Sequence, residues 1–189
     1  MDTETGQAMI LNRAQFNARA EERLGKAAPM RLPVTLILVS IDNYRECGGT
    51  AAEICLRSVT DVVRANTNPV TDLAGLVRNH QFALMPADCS PKCASELAER
   101  IRIDVESLQI RPTVDGGPLT VSVSATIKIP KAKPSIEALL IAADRGLREA
   151  MRLGGNCVIM DESWPLDSRS TGTPHGTAQP TNSRCPKKP

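Results

Sequence analysis

Apolar positions along the chain switch between helical and strand spacing, and each switch marks an element. Phe16, Ala20 and Leu24 recur at i, i+4 and i+8, the stripe of an amphipathic helix. Asn12 stands ahead of this stripe with Gln15 three residues on, a pair suited to a capping box over the first-turn amides. Gly25 and Pro29 predict the end of the helix. Val34 to Ile41 is a continuous β-branched run of strand length, apolar enough to be buried on both faces. Gly48-Gly49 then breaks the chain, and Thr50-x-x-Glu53 predicts a second capping box. Ile54, Cys55, Val59, Val62 and Val63 give that helix its inner face, and Asn66 to Pro69 stops it. Two short runs follow, Leu73 to Val77 and Phe82 to Met85. They flank the polar tetrapeptide Arg78-Asn79-His80-Gln81 and predict a β-hairpin with a functional tip.

Ser90 followed by Pro91 is an N-cap with proline at the first helical position. Ala94, Leu97, Ala98, Ile101, Val105 and Leu108 make the stripe behind it. Asp115-Gly116-Gly117 turns the chain into Leu119 to Ile129, where Ser and Thr alternate with apolar residues as in a half-buried strand. Pro134-Ser135 opens a last helix with Ile136, Leu139, Leu140, Ala143 and Leu147 inward. Gly154-Gly155 ends it, and Cys157 to Met160 is a final strand. The order α-β-α-β-β-α-β-α-β contains β-α-β-β-α-β, so the expected class is α+β, a ferredoxin-like core with a helix added at each end. Residues 1–11 read as a lead and 12–160 as one domain. Pro, Ser, Thr, Gly and Asn dominate residues 161–189, which predicts a flexible, disordered tail.

Composition narrows the function. Four residues in 189 are aromatic, namely Phe16, Tyr44, Phe82 and Trp164, so the core is aliphatic and base stacking on single-stranded nucleic acid is not expected. A net charge of +2 from 23 basic and 21 acidic residues leaves no electrostatic footprint for nucleic acid or an anionic membrane. The polar, acidic start from Met1 to Gln7 lacks a signal-peptide pattern, and Pro33 to Ile41 is too short to span a bilayer. A cytoplasmic, reducing location follows as an expectation, with Cys47, Cys55, Cys89, Cys93, Cys157 and Cys185 as free thiols. Cys89-x3-Cys93 offers two zinc ligands, but no second compact pair frames them. Small buried hydrophobes are the better reading.

At the hairpin the chain resembles the GGDEF domain, the catalytic module of diguanylate cyclases. The resemblance runs over about residues 5–160. Asn12-Arg13-x-x-Phe16 is similar to the family's opening motif, and Ser40-Ile41-Asp42-Asn43-Tyr44-Arg45 stands where Asp-x-Asp-x-Phe-Lys is usual. Leu56-Arg57-Ser58-Val59 matches the next helix, and Arg78-Asn79-His80-Gln81-Phe82 replaces Gly-Gly-Asp-Glu-Phe. Leu97 to Arg102, Thr120 to Val123, Ala143 to Leu147 and Gly154 to Val158 follow the family closely. The resemblance implies a nucleotide-cyclase palm-like fold.

It also implies where the chemistry would lie. Family members condense two GTP molecules with magnesium, an ion that takes hard oxygen ligands. The family's first metal-binding Asp corresponds here to Ser40, and the acidic third residue of the signature to His80. The following Glu corresponds to Gln81, and the two signature glycines to Arg78 and Asn79. Glu53 stands near a guanine-binding Asp, while the phosphate-contacting Lys and Arg fall on Met151 and Gly155. The product-inhibition motif appears as Pro69-x-x-Asp72 without its Arg. Ser40, Asp42, His80 and Gln81 are therefore vestigial catalytic positions, with no metal site expected. Arg45, Glu53, Arg78 and Asn79 are the candidate nucleotide-binding residues.

Each has a plainer reading beside it. Asp42 reads as the start of a turn, His80 as a solvated tip residue, and Glu53 as a helix cap. Arg145, Arg148 and Arg152 read as a solvated face. Losing the metal carboxylates removes the electrostatic stabilisation that phosphoryl transfer needs. The expected function is a catalytically inactive GGDEF-like signalling module, binding a protein partner or a second copy, without a cofactor. The alternatives are an active cyclase that uses magnesium, and a metal-free sensor of a guanine nucleotide. With about a dozen residues ahead of Asn12, the upstream sensory module that such cyclases usually carry is not expected.

Overall fold

The computed structural model describes residues 8–112, 117–130, 134–161 and 182–183. Its elements are β1 (Ile10–Asn12), α1 (Arg13–Met30), β2 (Val34–Ile41), α2 (Gly49–Ala65), β3 (Leu73–Arg78), β4 (Gln81–Met85), α3 (Pro91–Ser107), β5 (Val121–Lys128), α4 (Ile136–Arg152), β6 (Val158–Asp161) and β7 (Asn182–Ser183). The strands form one mixed sheet in the order β1-β3-β4-β2-β5-β6-β7. Its centre, β3-β4-β2-β5, is antiparallel throughout, the ferredoxin-like arrangement. A parallel β5-α4-β6 unit extends one side, and β1 pairs in parallel with β3 on the other.

The fold is thus α+β, with helices on both faces. Ile37, Val39, Ile41, Phe82, Leu84, Val121 and Val123 pack beneath α2 and α3. Leu36, Leu38, Ala83 and Met85 point the other way, against α1 and α4. This alternation follows from the strand period of two, and it accounts for β2 being buried along its whole length.

The Asn12 box forms as expected: the Gln15 N–H donates to Asn12 Oδ1 at 3.0 Å and the Asn12 N–H to Gln15 Oε1 at 3.1 Å. Pro91 at the start of α3, with the Ser90 hydroxyl accepting the Cys93 N–H, also follows the pattern. Other expectations need correction. Gly25 and Pro29 do not stop α1, which runs to Met30 and ends at a left-handed Arg31. Proline in a last turn removes a single hydrogen bond, and the buried Leu24 and Ala27 hold that turn against the sheet. The second capping box is absent: α2 begins at Gly49 with Gly48 as its cap and no side-chain bond, and Ile54 is half exposed. At α4 the Ser135 side chain caps nothing. Instead, Glu21 of α1 accepts the Ile136 N–H at 2.8 Å.

The strand expected to be half-buried is covered on both sides. Ser122, Ser124 and Thr126 lie buried beneath α4, which approaches closely because Gly146 has no side chain; a Cβ there would collide with Ser124. Ile10 and Leu11, placed in the lead by the sequence pattern, form a parallel edge strand with Asn12. The expected disorder of the 161–189 tail lies almost wholly outside the described residues; Asn182–Ser183 pairs with β6.

Candidate functional site

The C-terminal end of β2 and the β3–β4 turn come together at one end of the sheet. Ser40 sits in register with Gln81 of β4 and with Ser122 of β5, and the Ile41 N–H donates to the His80 carbonyl at 3.1 Å. Four of the positions singled out in the sequence, Ser40, Arg78, His80 and Gln81, are therefore neighbours. Ser40 is fully buried, and its hydroxyl has no hydrogen-bond partner.

Arg78 is not free to wait for a phosphate. Its Nη1 donates to Gln81 Oε1 at 3.0 Å and to Asp144 Oδ1 on α4 at 2.9 Å. The other Asp144 oxygen pairs with Arg148 at 3.1 Å. Arg152 likewise pairs with Glu149, so these arginines belong to a surface ion-pair row.

Beside the turn lies an open cleft of about 780 Å³, lined by Arg13, Tyr44, Arg45, Arg78, Asn79 and His80 among others. The His80 ring stacks on Tyr44, with centroids 5.2 Å apart and planes 16° from parallel. It is not the freely solvated tip residue that its position implied. Burial, followed by the positive charges of Arg45 and Arg78, holds the His80 pKa below its ordinary value of 6.5, which favours the neutral ring. Arg13 also lines the cleft, a residue the sequence does not single out for the site. Its position beside the helix cap Asn12 was visible, but its convergence on the hairpin depends on β1 pairing with β3.

Asp42 has a structural role stronger than a turn. Its Oδ2 accepts from the Thr120 hydroxyl at 2.8 Å and the Asn156 N–H at 2.9 Å; its Oδ1 accepts from the Ser122 hydroxyl at 2.7 Å. The carboxylate ties the ends of β2 and β5 to the turn after α4. Gly155 leaves room for it, since a Cβ at that left-handed residue (φ +76°) would lie 3.1 Å from the carboxylate. Asn156 continues the chain of contacts to Glu106 and Arg102 on α3. The hydrogen bond from Asn156, and then Arg102, hold the Glu106 carboxyl below its ordinary pKa.

Glu53 is not brought to the cleft. It lines a separate groove along the outer face of α2 with Thr50, Arg57, Asp61 and Arg64. Magnesium does not fit the donor set at the strand end. Ser40 offers a buried neutral hydroxyl, His80 a stacked imidazole, and the Asp42 carboxylate is already engaged by three donors. Among the described residues, no three His, Cys, Asp or Glu side chains gather into a group able to hold a metal ion. No helix there is long and apolar enough to cross a membrane.

The sheet order and the hairpin beside the end of β2 define a palm-like α+β domain of the nucleotide-cyclase type. The chain belongs to the GGDEF family: the family model described as "Diguanylate cyclase, GGDEF domain" matches residues 1–157. Among solved structures, it is similar to the GGDEF domain of DgcB from Caulobacter crescentus in complex with c-di-GMP. That match has a TM-score of 0.72 at 22% identity, covering 86% of this chain and 98% of that one. The active GGEEF domain of a diguanylate cyclase from Vibrio cholerae matches with a TM-score of 0.69 at 18% identity, covering 80% and 97%. The diguanylate cyclase SiaD of Pseudomonas aeruginosa, in complex with its activator SiaC, matches with a TM-score of 0.69 at 20% identity, covering 79% and 58%.

Proposed function

We propose that this chain is a GGDEF-family module that retains the fold without the cyclisation of GTP and acts in signalling as a binding or scaffold protein. The observation that carries this reading is at the end of β2. A neutral, buried Ser40 occupies the strand position facing Gln81, and the neighbouring carboxylate, Asp42, is spent on holding the fold together. Phosphoryl transfer depends on metal ions and fixed charges that stabilise the transferring group, and neither carboxylate for that task is supplied there. A protein partner or a second copy is the expected ligand class; SiaD, which shares the fold, is engaged by an activator protein. The test is incubation of the chain with GTP and magnesium or manganese. No cyclic di-GMP is expected, and multiple turnovers would remove the reading in favour of an active cyclase.

A second reading is supported by the cleft itself. Arg13 and Arg45 line it beside the flat Tyr44–His80 stack, a setting suited to a phosphate joined to an aromatic ring. The chain would then bind a guanine nucleotide without metal. Thermal unfolding tests this, because a ligand at 100 times its Kd adds about 2.7 kcal/mol of stability. No shift with GTP or cyclic di-GMP would eliminate it.

A further inference from the structure

The connection between β4 and α3 holds two thiols in contact, at the opposite end of β4 from the hairpin tip. Cys89 Sγ lies 2.7 Å from Cys93 Sγ, about 0.7 Å beyond the covalent S–S length of about 2.05 Å. The backbone is arranged to bring them together. Asp88 is left-handed (φ 46°), which turns the chain back just before Cys89. The Thr35 hydroxyl on β2 donates to the Cys89 carbonyl at 3.1 Å, and Ser90 and Pro91 start α3 so that Cys93 falls in its first turn. The two sulfurs differ in access: Cys89 is 8% exposed, whereas Cys93 faces solvent. Cys89 also lines a cavity of about 510 Å³ with Arg23, Lys26 and Asp88.

We infer that Cys89 and Cys93 form a reversible dithiol–disulfide couple, a modification site for a peroxide-class oxidant. The exposed Cys93 sulfur attacks one peroxide oxygen, the O–O bond breaks, and Cys93 becomes a sulfenic acid as one water leaves. Cys89 sulfur then attacks Cys93 sulfur, the S–O bond breaks, and a second water leaves as the disulfide forms. In total, two thiols give up two electrons and two protons, and the peroxide is reduced to two waters. A dithiol reductant reverses the change by thiol–disulfide exchange. Burial and the adjacent Cys93 push the Cys89 thiol up to about 12, in keeping with Cys89 as the second, resolving sulfur that reacts through proximity.

The sequence provides its own readout. Lys92 lies between the two cysteines, so trypsin cuts between them and yields Asn79–Lys92 and Cys93–Arg100 as separate peptides. The full reduced chain is treated with hydrogen peroxide, its remaining thiols are alkylated, and the digest is analysed by mass. The expected product is these two peptides joined, lighter than their sum by two hydrogen atoms. The protein should still run as a monomer on a non-reducing gel, and dithiothreitol should release the peptides. A Cys47–Cys55 bridge is distinguishable, because both residues lie in the single peptide Glu46–Arg57. Cys93→Ser abolishes the joined species, and Cys89→Ser leaves Cys93 as a sulfenic acid that a cyclic dione traps. Full alkylation of both residues after peroxide would overturn the inference. So would joining found only in a dimer, or sulfinic acid at Cys93 with Cys89 still alkylated.

Discussion

Asp42 accepts three hydrogen bonds, from Thr120, Ser122 and Asn156, and removing it leaves those donors without an acceptor. Asp42→Ala is expected to cost about 2–4 kcal/mol in urea unfolding, and Asp42→Asn less, because it keeps one acceptor oxygen. A change below about 0.5 kcal/mol for Asp42→Ala would refute the structural role. For His80, the folded chain holds the proton more weakly than the unfolded chain, since its pKa lies below 6.5 when folded. Its contribution to stability is therefore complete above about 6.5 and declines as pH falls toward the lower folded value. His80→Phe keeps a ring on Tyr44 but cannot titrate. Stability measured between pH 7.5 and 5.5 should decline less in that variant, and identical declines would contradict the stacked, neutral histidine.

The elements show why part of the fold is legible in the sequence and part is not. The Asn12 box, the proline-started α3 and the continuous β2 depend on residues close in sequence, and all three form. The second capping box, the end of α1 and the exposed face of β5 depart from the sequence pattern because distant packing decides them. Glu21 supplies the α4 cap from 115 positions away, and α4 covers Ser122, Ser124 and Thr126 because Gly146 admits it. Close helix–sheet approach recurs at Gly75 of β3, where a Cβ would lie 2.9 Å from Phe16 Cβ and 3.0 Å from the Leu11 carbonyl oxygen. Gly75→Ala therefore forces α1 off the sheet and should lower stability by about 1–3 kcal/mol. Chemical denaturation reads the loss, and an unchanged midpoint would refute the close approach.

Across the whole molecule, the packing positions of the family motifs are kept. Phe16 and Phe82 are fully buried and Tyr44 packs against the core, so the aromatic positions of the family motifs still do structural work; Trp164 lies outside the described residues. Ser40, His80 and Gln81 converge where the motif places them, and that much of the site was legible by resemblance. What the sequence concealed was occupancy: Arg78 committed to Asp144, Asp42 committed to β5 and the turn after α4, and Arg13 lining the cleft. Those are tertiary contacts between residues far apart in the chain. The most direct test is a titration of the full chain with GTP, with and without magnesium, followed by a search of each mixture for cyclic di-GMP. The same nucleotide response in both series, with no product, is expected. Binding strengthened by magnesium, accompanied by catalytic amounts of cyclic di-GMP, would contradict it.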